Sequence, residues 1–295
     1  MNIKMKDLVV EYSNCFRAID QISITLEPGL TGLIGPNGAG KTTLMKTLAT
    51  LIIPTAGQII LNDHCITKKN MEDLRNCIGY LPQSLGFFKD LTVYESLQYY
   101  GMLQKIDNKE RNIRIDKLLS TTNLEEHRNK KVKELSGGMK RRLGLAQAMI
   151  NDPQILIVDE PTVGLDPEER INIRMLLSSL AADRIILLST HVVEDIANAC
   201  SKVIILEKGH VAFEGLTMEI IQRAEGHVYV RLTDNEEDIL KLRSDKNVTG
   251  IIYDKDGIHV RYVSMDDSEC DKPVSPSLED AYIFARQCYL EGHIS

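Results

Sequence analysis

The clearest chemistry in the chain lies in Gly35-Pro36-Asn37-Gly38-Ala39-Gly40-Lys41-Thr42-Thr43. These residues match the phosphate-loop spacing G-x-x-x-x-G-K-[ST], with an apolar, β-leaning run at 30–34 before them and a helix-forming run at 42–51 after them. A triphosphate needs many donors close to one point. Glycines without Cβ atoms let backbone N–H groups fold round the β- and γ-phosphates, and the helix N-terminus behind them adds about half a positive charge. Lys41 supplies a mobile charge for phosphate oxygens, and the Thr42 hydroxyl is placed to ligate Mg2+.

Other groups of the right type lie further along. Residues 155–158 are apolar at every position and run straight into Asp159-Glu160. In a phosphate-loop chain, two carboxylates at the mouth of a buried strand divide the work. Asp159 can hold Mg2+, directly or through water, and Glu160 can orient and polarise the attacking water. A second buried run, 184–188, delivers Ser189-Thr190-His191 to the same edge, which makes His191 a candidate γ-phosphate sensor. Gln83 ends a short strand halted by Pro82, where loops of α/β sheets meet ligands. Leu135-Ser136-Gly137-Gly138-Met139 opens a helix whose apolar positions 139, 143, 146 and 150 share a stripe. Ser-Gly-Gly at a helix start is a second anion-binding geometry, although Ser alone is simply a good N-cap. Tyr12 precedes the phosphate loop between two strands. If exposed it can stack on adenine, worth about 1–3 kcal/mol by analogy with base–aromatic stacking; ordinary packing is the alternative.

The elements that must position these groups follow from periodicity and turn residues. Residues 3–12 and 21–27 alternate as antiparallel strands, and a turn at 27–29 leads into the phosphate-loop strand. A turn at 54–57 and a strand at 58–61 come next. From 92 to 134 the pattern is helical, and its basic run at 128–133 reads as a solvated segment. Asp166 and Pro167 can cap a helix over 168–180. A hairpin around Lys208-Gly209 closes a first domain near residue 220. Beyond it, strands at 227–233 and 258–263 and helices at 236–243 and 277–289 suggest a small two-layer α+β unit, with a ferredoxin-like arrangement as one option.

Composition bounds the class. At 295 residues the length favours two domains, and 43% apolar with 26% charged residues is ordinary for a soluble globular protein. A net charge of −7 offers no overall basic footprint, so no nucleic-acid partner is expected. The six cysteines (15, 65, 77, 200, 270 and 288) are scattered without a C-x-x-C pair, which predicts reduced thiols in a cytosolic chain. His64-Cys65 reads as a structural or surface pair. The start lacks the apolar stretch of a signal peptide, and no apolar run approaches the roughly 18–20 residues that span a bilayer. Any membrane role must come through a partner.

The order phosphate loop, Gln83, Leu135-Ser136-Gly137-Gly138-Met139, Asp159-Glu160, Asp166, His191 resembles the ATP-binding cassette (ABC) ATPases over roughly residues 1–220. The wording around Leu81-Pro82-Gln83, Val93-Tyr94-Glu95 and Gly137-Gly138-Met139-Lys140-Arg141-Arg142 is similar to the ATPase subunits of bacterial ABC-2-type exporters. The stretch 276–282 resembles an accessory domain trailing some of them. The resemblance implies an α/β fold with a mixed-sheet core, an antiparallel β subdomain, a helical subdomain near 84–150 and a C-terminal α+β domain over 221–295. It implies ATP and Mg2+ as ligands, with Thr42, Gln83 and Asp159 toward the metal, and Lys41, Gln83, Glu160 and His191 in hydrolysis. Tyr12 takes the adenine-stacking position. Leu135 to Met139 reach the nucleotide of the other protomer, Asp166 links the two sites, and residues 84–93 meet a separate integral-membrane permease. The chain then works as a dimer, a homodimer in preference to a heterodimer, on the inner face of the cell membrane. Met139 stands where Gln is commonest, and Gly29-Leu30 lacks the usual acidic residue; neither removes a catalytic group.

Competing classes leave their own marks. A GTPase would carry an N-K-x-D motif, which is absent, and a small-molecule kinase has no use for the Ser136 helix. A soluble ABC ATPase acting on DNA or ribosomes should show tandem cassettes, a long heptad coil or a basic surface. A regulatory factor that binds ATP without pumping stays open, and cargo belongs to the membrane partner.

Overall fold

Ile155–Asp159 and Ile185–Ser189 are buried at every position, which only the middle of a sheet covered on both faces provides. The computed structural model describes residues 1–13, 15–266 and 271–292; Cys270 and part of the polar turn expected over 266–276 lie outside them. The chain opens with β1 (Ile3–Glu11), β2 (Arg17–Leu26) and β3 (Gly29–Ile34), then α1 (Lys41–Leu48), β4 (Ala56–Leu61) and β5 (His64–Ile66). Next come α2 (Met71–Cys77), β6 (Ile78–Leu81), α3 (Val93–Leu103), α4 (Asn108–Thr121) and α5 (Gly137–Ala148). β7 (Ile155–Asp159), α6 (Pro167–Leu180), β8 (Ile185–Ser189), α7 (Val193–Ala197), β9 (Lys202–Glu207), β10 (His210–Leu216) and α8 (Thr217–Arg223) follow. The tail holds β11 (Val228–Thr233), α9 (Glu236–Asp245), β12 (Asn247–Asp254), β13 (Gly257–Val263), β14 (Lys272–Pro273) and α10 (Leu278–Leu290).

The six-stranded sheet runs β10-β9-β3-β8-β7-β6, parallel except for β10 at its edge. Its register matters for function. Leu33 and Asp159 both pair with Ser189, and Leu81 pairs with Val158. The C-terminal ends of β3, β8, β7 and β6 are therefore level, and whatever follows each strand emerges along one edge, where doubly wound sheets bind ligands.

One face of this sheet is covered by α1 and a four-stranded antiparallel sheet, β2-β1-β4-β5. Leu44, Met45 and Leu48 of α1 pack among Ile3, Met5, Ile22 and Ile24 on one side and Ile157 and Leu187 on the other. β2 starts four residues earlier than the alternation predicts. Ile19 and Ile22 are both buried although three apart, because Gln21 sits at φ 52° where the β1–β2 register shifts. A bulge there breaks the period of two.

The opposite face carries α3, α4 and α5. The helical stretch at 92–134 is divided, with Lys105 and Asn123 turning at positive φ and Thr92 starting α3 through a capping box with Glu95. α5 is buried more widely than one stripe. Gly138, Arg141, Leu143, Gly144, Leu145 and Ala146 are all covered, while Ile150 lies beyond the helix end.

In the tail, an antiparallel sheet β12-β13-β11-β14 packs one face on α9 through Tyr229, Ile239, Leu242, Val260 and Tyr262. The strand order is that of a ferredoxin-like sheet, but the second helix follows the last strand instead of preceding it. That helix, α10, turns back. Its Leu278, Ala281, Phe284, Ala285 and Cys288 join the core that includes Ile205, Ala212, Phe213 and Ile220.

Candidate functional site

Two glycines of the phosphate loop, Gly35 and Gly40, sit where no side chain fits. A Cβ at Gly35 would lie 2.3 Å from the Leu206 carbonyl oxygen, and one at Gly40 would lie 2.4 Å from that of Ala18. Gly40 also takes φ +105° as the N-cap of α1 and offers no capping side chain, so the first N–H groups of the helix keep their capacity for an anion. Lys41 is only 8% exposed, and its Nζ donates to the carbonyls of Gly35 at 2.7 Å and Pro36 at 3.1 Å. Burial pulls the Lys41 ammonium below its ordinary range, against the opposing fields of Glu160 and Asp159. A cradle that backbone lines closely at Gly35 and Gly40, closed by a buried cation folded back on it, fits a triphosphate. Asn37 and Gly38 face solvent, Ala39 is buried, and Thr42 is exposed at the start of α1.

Beside the loop, Asp159 is 2% exposed and its Oδ1 accepts from the Ser189 hydroxyl at 2.5 Å. Burial pushes the Asp159 carboxyl up; the Ser189 bond opposes the rise and Glu160 adds to it. Glu160 adopts φ +46°, a strained setting for a residue with a Cβ, and is held there by its N–H, which donates to the Ser189 carbonyl and hydroxyl, each at 3.1 Å. One of its carboxylate oxygens is shared. Gln83 Nε2 donates to Oε2 at 3.2 Å, and His191 Nδ1 lies 3.3 Å from the same atom. Of the four residues expected in hydrolysis, Gln83, Glu160 and His191 are thus brought together at the strand ends, while Lys41 bonds to the phosphate-loop carbonyls. The Thr42 hydroxyl, the Gln83 amide oxygen and the Asp159 carboxylate are the hard oxygen donors that suit Mg2+.

Ser136 caps α5, its Oγ accepting from Met139 N at 3.2 Å, with Ser136 and Gly137 exposed and Gly138 covered. Asp166 caps α6, its Oδ1 accepting from Glu169 N at 2.9 Å. Tyr12 is 42% exposed at the shoulder of the phosphate loop, its hydroxyl 3.2 Å from Thr43 Oγ1. The turn it opens carries a second exposed aromatic, Phe16, for which the sequence pattern gives no signal.

Residues 19–163 match the ABC transporter family model. An uncharacterized ABC transporter ATP-binding protein of Bacillus subtilis (strain 168) is 36% identical over 221 residues, covering 75% of this chain and 72% of that one. The chain belongs to the ABC transporter family, among its ATP-binding subunits. The Nod factor export ATP-binding protein I of Cupriavidus metallidurans is 36% identical over 225 residues, 76% of this chain and 74% of that protein. Among solved structures, part of an ABC transporter complex from Clostridium perfringens superposes with a TM-score of 0.68 at 27% identity, covering 82% of this chain and 94% of that one. A dimeric bacterial ABC transporter cassette gives 0.65 at 25% identity, over 72% and 98%. Among the described residues no helix is long and apolar enough to cross a membrane.

In this ABC subunit, several supporting side chains carry no clear sequence signal. Buried Arg141 donates to the Pro82 carbonyl at 3.3 Å and so holds the residue before Gln83. Buried Asp195, on α7 just after the His191 turn, accepts from Thr162 Oγ1 at 2.7 Å and from Arg174 Nη1 at 2.9 Å, tying α7 to the loop after β7 and to α6. The Arg141-Arg142 pair after Ser-Gly-Gly is the visible hint; Thr162 and Asp195 offer none.

Proposed function

We propose that this subunit binds ATP with Mg2+, hydrolyses it at an interface between two cassettes, and drives a separate membrane permease in the direction of export. The observation that carries the reading is the sharing of Glu160 Oε2 by Gln83 and His191, beside a buried Lys41 at the mouth of one sheet. Glu160 accepts the proton of the attacking water, Gln83 and His191 aim its carboxylate, and Lys41 leaves the Gly35 and Pro36 carbonyls to meet phosphate. Mg2+ supplies charge neutralisation on the phosphate oxygens. Ser136 and Gly137 stand exposed at the start of α5, and this helix start meets a nucleotide held by a second subunit. Dimerisation is then linked to ATP, because each bound nucleotide contributes contacts to both subunits. Tyr12 stacks on the adenine, and Asp166 at the head of α6 communicates between sites. Residues 1–220 form the cassette, with a helical subdomain near 84–150, and 221–295 form the accessory unit. The permease holds the subunit at the inner face of the membrane. The name of the Cupriavidus relative supports export.

The test is Glu160→Gln in the purified subunit. ATP should convert it to a stable dimer on gel filtration while turnover falls by about a thousandfold. A wild type that shows no turnover even with its co-purified permease overturns the reading.

A further inference from the structure

Glu207 closes β9 as a buried acid, 3% exposed, and its partner comes from the far end of the chain. Arg286 Nε donates to Glu207 Oε2 at 2.5 Å, and the Arg286 guanidinium lies 5.5 Å from the centre of the Tyr282 ring. The neighbours of Glu207 touch the phosphate loop at two points, its start and its middle. The Leu206 carbonyl fills the space that a Cβ on Gly35 would need, and Gly209 N donates to the Ala39 carbonyl at 3.0 Å. The Gly209 carbonyl in turn accepts from Asp20 N at 2.9 Å, so the β9–β10 turn is clasped between the loop and β2. α10 also packs on α7, whose Ile196 lies against Gly32 in the strand leading into the loop.

Resting on the ATP-binding reading above, we propose that Arg286 is a positioning residue for nucleotide binding, acting on the phosphate loop through Glu207. A buried carboxylate is tolerated when paired and becomes a liability when its partner is removed. Without the guanidinium, Glu207 turns toward the water that enters where the partly exposed Arg286 stood, and the β9–β10 turn follows it, drawing Leu206 and Gly209 away from Gly35 and Ala39. The docked tail therefore sets the shape of the empty cradle, and undocking it loosens the grip on phosphate while leaving Glu160, Gln83 and His191 unaltered.

Linkage makes this testable in the unmodified protein, because docking that favours nucleotide must be favoured by nucleotide. Amide hydrogen exchange of the full chain is measured with and without a non-hydrolysable ATP analogue and Mg2+. Exchange should slow in the phosphate loop and, by about fivefold or more, in α10. Protection of the loop with α10 unchanged overturns this inference alone; an unprotected loop sinks the ATP reading itself. In variants, Arg286→Gln should raise the KM for ATP about five- to twentyfold with kcat retained, Arg286→Lys should stay near wild type, and Arg286→Gln with Glu207→Gln should recover most of the affinity. A wild-type KM in Arg286→Gln, or no recovery in the double variant, overturns it. Should Arg286→Gln fail to fold, the exchange experiment decides by itself.

Discussion

Arg142 donates to Glu169 at 2.5 Å, and this pins the helix that Ser136 opens to the helix that Asp166 caps. Both side chains are mostly covered, and Glu169 Oε2, the oxygen that Arg142 does not take, is buried with no hydrogen-bond partner among the described residues. Arg142→Ala would leave the whole carboxylate unpaired beside Gly138. The expected loss is about 1–3 kcal/mol of stability, read from urea unfolding, with partial recovery in Arg142→Ala combined with Glu169→Gln. Stability unchanged in the single variant would show that the pair is held only by the surrounding packing.

Two glycines of the phosphate loop should respond differently to the same change. Gly40 has φ +105° and the Ala18 carbonyl 2.4 Å from where a Cβ would sit, whereas Gly38 has φ +82° and open space. Gly38→Ala meets only the conformational cost, about 1–2 kcal/mol. Gly40→Ala adds a backbone collision and should unfold at a distinctly lower urea concentration than Gly38→Ala. Equal midpoints would mean that the loop shifts freely away from Ala18.

The raised Asp159 carboxyl has a sign that can be checked. Burial is the leading cause, so the folded chain holds this proton more tightly than the unfolded chain does. Between the ordinary and the raised value the folded state binds more protons, and stability falls as pH rises through that window. Above the window the full cost of the buried charge persists. Asp159→Asn removes the charge and keeps an acceptor for Ser189. The nucleotide-free variant should melt above wild type at neutral pH, with the difference closing as the pH falls toward about 4, while Mg2+-dependent turnover drops by roughly a hundredfold or more. A variant that melts lower at neutral pH would contradict the burial argument.

Groups whose chemistry requires adjacent residues are legible in the amino-acid sequence by itself. Gly35 to Thr43 and Asp159-Glu160 are such groups, because a loop or a strand end presents them together whatever surrounds it. Gln83 is legible through the proline that stops β6, and the layered α/β fold through the apolar runs at 155–158 and 185–188 in β7 and β8. What depends on distant segments is not. Nothing near Arg141 points to Pro82, and nothing near Arg286 points to Glu207, since only the folded sheet brings either pair within bonding range. β12 escapes the pattern because most of its residues are half-buried or exposed, with Gly250 opening a register shift that erases the alternation. The stripe on α10 announces a buried face but not that its cover is the β9–β10 hairpin, α7 and α8.

The shared oxygen of Glu160 makes a prediction about coupling. Gln83 and His191 both address Oε2, at 3.2 Å and 3.3 Å, so each restrains the same rotation of one carboxylate. If their task is to aim that group, removing one frees it and removing the second adds little. Gln83→Ala and His191→Ala should each lower kcat by about 10–100-fold, and the double variant should fall well short of the product of the two losses. Nucleotide affinity should change less than turnover, because neither side chain replaces the phosphate contacts of Lys41. Fully multiplicative losses in kcat would mean that the two residues act on separate atoms of the reacting complex, and that their meeting at Glu160 is incidental to the reaction.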